Sequence, residues 1–396
     1  MTPVAQLAAI KARTERLIGE EALLARLAAG KPLRIKLGVD PTRPDLTFGH
    51  MVCLNKLREL QDLGHQAVLL IGDFTTRVGD PTGRSSTRPV LTPEEISANA
   101  KTYLEQAYRI LDPARTEVVR NGDWFGRMTF LEAIQLCRHM TVQQMLARDD
   151  FSKRHSEGTP ISLVEFLYPL LQGHDSVEVR ADLEMGGSDQ LFNMLVGRDL
   201  QIAAGQPPQA VLTMPLLVGL DGVQKMSKSL GNYIAFNDPA KDIFGKVMSI
   251  PDATMWTYWR LLMGSDEADI ARRQAAHPME MKKQLASALT AKFHGEEAGQ
   301  YERAQFENVF SKGLVRDDMP AFAWGALVPT ATEALVVDVL AATGLFPSKK
   351  EVIRLIEGGA VKVGDDKVAD RSHRIARPVA ELVIQAGKRT FIKLTP

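Results

Sequence analysis

The sequence predicts an α/β fold built on a parallel sheet, followed by a helical stretch and closed by a small α+β unit. Three observations predict it. Arg34–Val39 (RIKLGV) has strand character, a Pro-rich polar loop runs from Asp40 to Thr47, and an amphipathic helix spans about Gly49 to Leu63, with Gly64 suited to its stop. Ala67–Ile71 (AVLLI) is then an apolar run without alternation, the pattern of a strand buried on both faces. Strand, helix and buried strand in that order make a βαβ unit, and hence a Rossmann-like parallel sheet. In such sheets ligands collect beyond the carboxyl ends of the strands, where helix N-termini present free amides.

Along the chain, residues 1–235 keep alternating strand and helix signals. Within them 123–175 read mostly as helix and form an insertion. Its apolar positions Phe130, Ile134, Met140, Met145 and Leu146 fit either a partner-facing helix pair or an ordinary core face. Over 236–328 strand signals vanish and Ala, Leu, Met, Lys and Glu dominate, with Pro251 and Pro278 as breaks, so a helical domain is expected. The third unit covers 331–396. Ser348 can cap a helix through Gly358, and two hairpins follow, Ala360–Val368 turning at Gly364-Asp365 and Glu381–Leu394 turning at Gly387.

The 396 residues are 45% hydrophobic and 24% charged, which fits two or three globular domains and excludes a disordered chain. Forty-eight basic and forty-eight acidic side chains cancel, so binding by bulk positive charge is excluded. The charge is nevertheless uneven: 331–396 hold eleven basic against eight acidic side chains. Two cysteines, Cys53 and Cys137, exclude a disulfide framework and a multi-cysteine zinc site, and read as buried apolar residues in a reducing cytoplasm. The eight histidines show no metal-ligand spacing, so no protein-bound metal is expected. The first residues lack a secretory pattern, and the longest apolar stretch, around Val211–Leu220, is half the length needed to span a bilayer.

Two short elements carry the chemistry. Thr47-Phe48-Gly49-His50 closes the first loop and opens the first helix. There a planar base could pack on the bare backbone of Gly49, and His50 could donate to a phosphate at the positive helix end. A plain capping turn is the bland alternative. Lys225-Met226-Ser227-Lys228-Ser229 follows a strand-like run and the turn Asp221-Gly222. Two lysines three apart suit a mobile loop closing on a polyphosphate, where negative charge builds on a leaving pyrophosphate. A given five-residue string arises by chance in a chain of this size about once in ten thousand.

Together these elements resemble the two signatures of class I aminoacyl-tRNA synthetases. KMSKS is matched in full by residues 225–229, and the usual His-Ile-Gly-His reads Thr47-Phe48-Gly49-His50, so a hydroxyl replaces the leading imidazole. Within the class the chain resembles the tyrosyl-tRNA synthetases over nearly its whole length, through Gly38–Thr42, Gly79–Gly83, Tyr168–Asp175 (YPLLQGHD) and Gly186–Gln190. The resemblance implies ATP-dependent attachment of L-tyrosine to tRNA(Tyr) through a tyrosyl-adenylate, with Mg2+ carried by the ATP phosphates, a cytoplasmic homodimer joined through the insertion, and no membrane. It implies that Asp80, Tyr168 and Gln172 meet the tyrosine ammonium, that Asp40 and Gln190 lie around its carboxyl end, and that Asp175 accepts from the phenol. It places adenine near Gly49 and ribose on Asp189, with Gly187 also among the ATP-binding residues. The triphosphate falls to Lys225, Lys228 and Ser229 of the loop, with Thr42, Thr47 and His50 helping.

Spacing supports part of this independently. Tyr168, Gln172 and Asp175 fall at i, i+4 and i+7, one face of a helix, and such a trio suits a polar pocket wall better than a core. A site built to bond a hydroxyl rejects the analogue lacking it, an effect for which tyrosyl enzymes are the usual illustration. One departure stands out: many members have a tyrosine facing the substrate phenol where this chain has Lys36. On a strand, Lys36, Gly38 and Asp40 share a face, so Lys36 either pairs with Asp175 or turns aside, and Lys36→Met is expected to raise the tyrosine KM in the first case.

Residues 331–396 resemble the small RNA-binding module shared with a ribosomal small-subunit protein, through Phe346–Lys350, Ile356–Gly359 and Val361–Val363. Lys349, Lys350, Arg354, Lys362, Arg371, Arg374, Lys388 and Arg389 are its candidate phosphate contacts. By the same resemblance 236–328 are the anticodon-binding domain. Two alternatives stay open: a tryptophanyl-tRNA synthetase, which shares the fold and both signatures, and a non-catalytic RNA-binding protein on a synthetase scaffold.

Overall fold

A computed structural model describes residues 1–82, 91–311, 319–364, 366–387 and 390–396. The chain forms two compact units, 1–299 and 300–396. The first is organised by six strands: β1 (Arg16–Ile18), β2 (Arg34–Val39), β3 (Gln66–Ile71), β4 (Thr116–Arg120), β5 (Leu183–Gly187) and β6 (Ala210–Met214). They lie in the order β1-β6-β5-β2-β3-β4, with β1 antiparallel to β6 and the other pairs parallel. The expected βαβ unit is β2, the helix Phe48–Asp62 and β3. From β2 the chain runs outward through β3 and β4, then returns on the other side to β5 and β6. The direction therefore reverses between β2 and β5, which opens a crevice beyond their carboxyl ends.

The segment between β4 and β5 is helical, as its sequence predicts. Reciprocal caps start three of its helices: Thr129 with Glu132 opens Phe130–Cys137, Thr141 with Gln144 opens Val142–Met145, and Ser162 with Glu165 opens Leu163–Glu178. The two readings of its apolar positions divide by residue. Met145 is buried against Leu170, Val196 and Leu200, whereas Phe130 is 82% exposed. Cys137, expected in the core, is exposed, because it ends a helix that lies on the surface; Cys53 is half-buried.

After β6 come the helices Ala240–Ser249, Asp252–Leu262, Glu267–Gln274, Pro278–His294 and Glu296–Ser311, with Pro251 and Pro278 at helix starts. Phe293 stacks on Phe48 at 5.4 Å and meets Phe236 at 4.6 Å, which ties this layer to the helix that opens at Thr47. No helix among the described residues is long and apolar enough to cross a membrane.

The second unit packs the helices Val336–Ala342 and Lys349–Glu357 on a five-stranded sheet, around Val336, Leu340, Val352, Ile356, Ile384, Ile392 and Leu394. Ser348 caps the second helix, and both expected hairpins form, with Asp365 and residues 388–389 outside the described residues. One strand lies in the stretch read as strand-free. Ala321–Ala323 pairs in parallel with Lys393–Thr395, and Trp324 beside it is buried in this core.

Candidate active site

A cavity of about 320 Å3 occupies the crevice between β2 and β5, within the usual range for a small-molecule site. Its wall takes Lys36 to Val39 from β2 and Asp40 just past it, Glu184 to Gly187 from β5, and Tyr168, Gln172 and Asp175 from one face of the Leu163–Glu178 helix. Thr42, Thr47, Gly49, His50, Asp80, Asp189, Gln190 and Lys225 also line it. Of the expected small-molecule residues, Lys228 and Ser229 do not line this cavity. Lys228 sits beside it, donating to the carbonyl of Asp45 and, at 2.9 Å, to the hydroxyl of Tyr103, which does line it. Ser229 is exposed and bonds Ser227.

One end of the cavity is rich in carboxylates. The Tyr168 hydroxyl donates to Asp40 at 2.9 Å, and Thr75 donates to the other oxygen at 2.8 Å. Burial and the charges of Asp40, Asp80 and Asp175 push the Tyr168 phenol well above its ordinary range, so it stays a donor. Gln190 donates to Asp80 at 2.8 Å, and Asn193 donates to the side-chain oxygens of Gln172 and Gln190 at 2.9 and 3.1 Å. Asp175 is 2% exposed; burial pushes its carboxyl up to about 7, against the opposing charge of Lys36.

Lys36 does not pair with Asp175. Its ammonium donates to the carbonyl of Gln172 at 2.8 Å, to Ser176 Oγ at 2.8 Å and to Glu184 Oε1 at 2.9 Å. The reason is register: Lys36 and Glu184 are direct partners across β2 and β5. All three ammonium protons are used, which lets a lysine sit here with no exposed surface.

At the other end His50 stands in the first turn of its helix. Its Nδ1 accepts the backbone N–H of Thr47 at 3.1 Å and lies 2.9 Å from the Thr47 hydroxyl. Burial and the charges of Lys228 and Lys225 lower the imidazole to about 3. The ring is therefore neutral, and with Nδ1 accepting, its proton sits on Nε2. Lys225 bonds the Asp189 carboxylate, and a Cβ on Gly187 would stand 2.5 Å from Asp189 Oδ1, so a side chain there would push that carboxylate aside. Among the described residues no group of three or more His, Cys, Asp or Glu could hold a metal ion.

Sequence reasoning did not single out Glu184, Asn193, Tyr103, Asn121 or Trp124. Glu184 had a signal, a lone carboxylate in an otherwise apolar strand; the others gave none until the fold brought them together.

The family model for class I tRNA synthetases (W and Y) matches residues 28–311. The tyrosine–tRNA ligase of Thermotoga maritima is 49% identical over 100% of this chain and 98% of its own. That of Nitrosomonas europaea is 48% identical, over 98% of this chain and 96% of its own. The chain belongs to the tyrosyl-tRNA synthetase family. Among solved structures, the Archaeoglobus fulgidus tyrosyl-tRNA synthetase matches this synthetase fold with a TM-score of 0.63 at 23% identity, over 76% of this chain and 99% of that one. The two synthetase signatures thus meet at one end of the cavity, where a Cβ on Gly49 would stand 3.9 Å from Met226, and Thr47, Gly49, His50, Lys225 and Met226 all line it.

Of the candidate RNA contacts in the second unit, Lys349, Lys350, Arg354, Lys362, Arg371 and Arg374 are exposed. Three have acidic neighbours: Lys349 pairs with Asp338, Arg354 with Glu351 and Arg374 with Glu333. Lys388 and Arg389 lie outside the described residues, as does Gly83.

Proposed function

We propose that the cavity carries out the family's reaction as a tyrosine–tRNA ligase, with ATP as co-substrate. The observation that carries the reading is one cavity with carboxylates at one end and a neutral imidazole donor with a lysine at the other. A free amino acid brings an ammonium, which fits Asp80, Tyr168 and Gln172, while its phenol fits Asp175. Asp40 and Gln190 flank its carboxylate. That carboxylate attacks the α-phosphorus, the bond to pyrophosphate breaks, and tyrosyl-adenylate forms. A terminal ribose hydroxyl of tRNA(Tyr) then displaces AMP.

The protein's share is positioning and charge stabilisation. His50 Nε2–H donates to a phosphate oxygen, Lys225 and Lys228 meet the triphosphate, and Thr42, Thr47 and Ser229 lie along it. Asp189 exchanges Lys225 for ribose hydroxyls, with adenine against Gly49 and Gly187. The donor set fits a magnesium ion carried by the nucleotide: Asp40 and Asp189 already accept from Tyr168, Thr75 and Lys225, so phosphate oxygens would hold it. Pyrophosphate exchange tests the reading. Tyrosine is expected to drive it and tryptophan not; exchange driven by tryptophan, or by neither, overturns it.

Residues 1–235 serve as the catalytic domain, 236–328 as the anticodon-binding domain and 331–396 as the RNA-binding module, with Lys349, Lys350, Arg354, Lys362 and Arg371 on the phosphate backbone. The location follows as cytoplasmic. The insertion 123–175 supplies a homodimer interface: Phe130 and Leu163 are each 82% exposed, beside Leu131 and Val164. Phe130→Asp, present twice across a two-fold interface, is expected to weaken association about a hundredfold. Sedimentation equilibrium reads this, and an unweakened dimer would remove the segment from the interface.

A further inference from the structure

The helix Pro93–Ala107 lies along the loop between β2 and the first signature, and one of its faces holds that loop by the backbone. Asn99 donates to the Pro41 carbonyl at 3.0 Å, Thr102 and Gln106 both donate to the Pro44 carbonyl, and Gln106 accepts the Leu46 N–H at 2.8 Å. Tyr103 shares this face, since residues 99, 102, 103 and 106 follow i, i+3, i+4 and i+7. It is buried, lines the cavity and meets the His50 ring edge-on at 6.3 Å. Thr42 and the Arg43 backbone bond its phenol, and burial, with the charge of Asp40, pushes that phenol above its ordinary range, so it stays neutral. Its oxygen accepts the Lys228 ammonium at 2.9 Å, beside the bond from Lys228 to the Asp45 carbonyl. These two acceptors are uncharged, so they direct the ammonium without cancelling its charge, and that charge acts on the His50 ring. Lys225, by contrast, is paired with the Asp189 carboxylate.

We propose that Tyr103 is a positioning residue for the nucleotide half of the reaction: its phenol oxygen aims the Lys228 ammonium at the phosphates from the helix that also fixes the loop before the first signature. The proposal rests on the reading of the cavity as the site of tyrosyl-adenylate formation. A lysine on a surface loop has a long flexible stem and samples many positions; two fixed acceptors select one. Charge stabilisation is largest from donors already in place when the charge builds, which is what a held ammonium supplies. The ammonium also lies 5.2 Å from the centre of the Tyr103 ring, a contact that phenylalanine would keep. The hydroxyl alone therefore gives the direction. It is needed while the bond from the α-phosphorus to pyrophosphate breaks. When the ribose hydroxyl later expels AMP, no pyrophosphate is left to stabilise, so the two steps are expected to respond differently.

The test is Tyr103→Phe, read by single-turnover formation of tyrosyl-adenylate. The rate is expected to fall about tenfold or more, the worth of one hydrogen bond to a charged group. The tyrosine KM is expected to stay as it was, and so is the transfer of tyrosine from preformed adenylate to tRNA(Tyr), measured on the same preparation. In a Lys228→Ala background Tyr103→Phe is expected to add no further loss, because the phenol acts through that ammonium. An unchanged or faster adenylate step overturns the proposal. So does a loss of the same size with Lys228 absent, which would put the phenol itself on the phosphates. Equal slowing of both steps overturns it as well, since a loosened loop would then be the cause. Tyrosine-dependent adenylate formation by the unaltered protein checks the underlying reading separately.

Discussion

Lys36→Met is expected to destabilise the first unit by about 3–5 kcal/mol, the usual cost of breaking a buried ion pair from one side. The Glu184 carboxylate is 2% exposed and would keep Ser176, Gln209 and Gln172 as donors while losing its charge partner. The Gln172 carbonyl would lose a donor as well. A urea titration measures the loss. Lys36→Met/Glu184→Gln removes the orphaned charge and keeps the amide-shaped acceptor, so it is expected to recover about half of it. A Lys36→Met chain as stable as the parent would show that the pair is not closed to water. The tyrosine KM is expected to rise as well, by a different route from direct pairing: Asp175 loses a nearby positive charge that favours its ionised form.

Lys228→Ala is expected to slow tyrosyl-adenylate formation about 100- to 1000-fold, the scale for removing one preorganised donor from a developing charge. The tyrosine KM is expected to change little, since Lys228 lies beside the cavity, against Tyr103 and Asp45, away from the carboxylate end. Single-turnover adenylate formation separates the two effects. Stability should hardly move. A variant forming adenylate at the parent rate would remove Lys228 from the transition state and leave Lys225, which bonds Asp189, as the loop's active cation.

What the sequence made legible is what is local. KMSKS is a contiguous string, the βαβ unit lies within forty residues of chain, and Tyr168, Gln172 and Asp175 share a face because one helix carries them. The insertion's helical character was legible for the same reason, and its reciprocal caps, each a four-residue pattern, are local as well. Hidden from it were pairings between distant segments. Lys36 and Glu184 are cross-strand partners only because β5 returns beside β2. Trp124 and Asn121 reach Asp175 from a different helix and loop. The strand Ala321–Ala323 has almost no strand signal of its own; Lys393–Thr395 makes it one. Cys137 was misplaced because cysteine composition says little about which helix face carries it.

That last pairing also bears on how the chain is made. During synthesis the segment around Ala321 emerges well before residues 393–395, its parallel neighbour. Until they follow, the aliphatic core around Trp324 has no Ile392 or Leu394 to close it. The first unit can settle while the ribosome is still working. The second must wait for nearly its whole length, with its apolar side open to chaperones or to another nascent copy in the meantime.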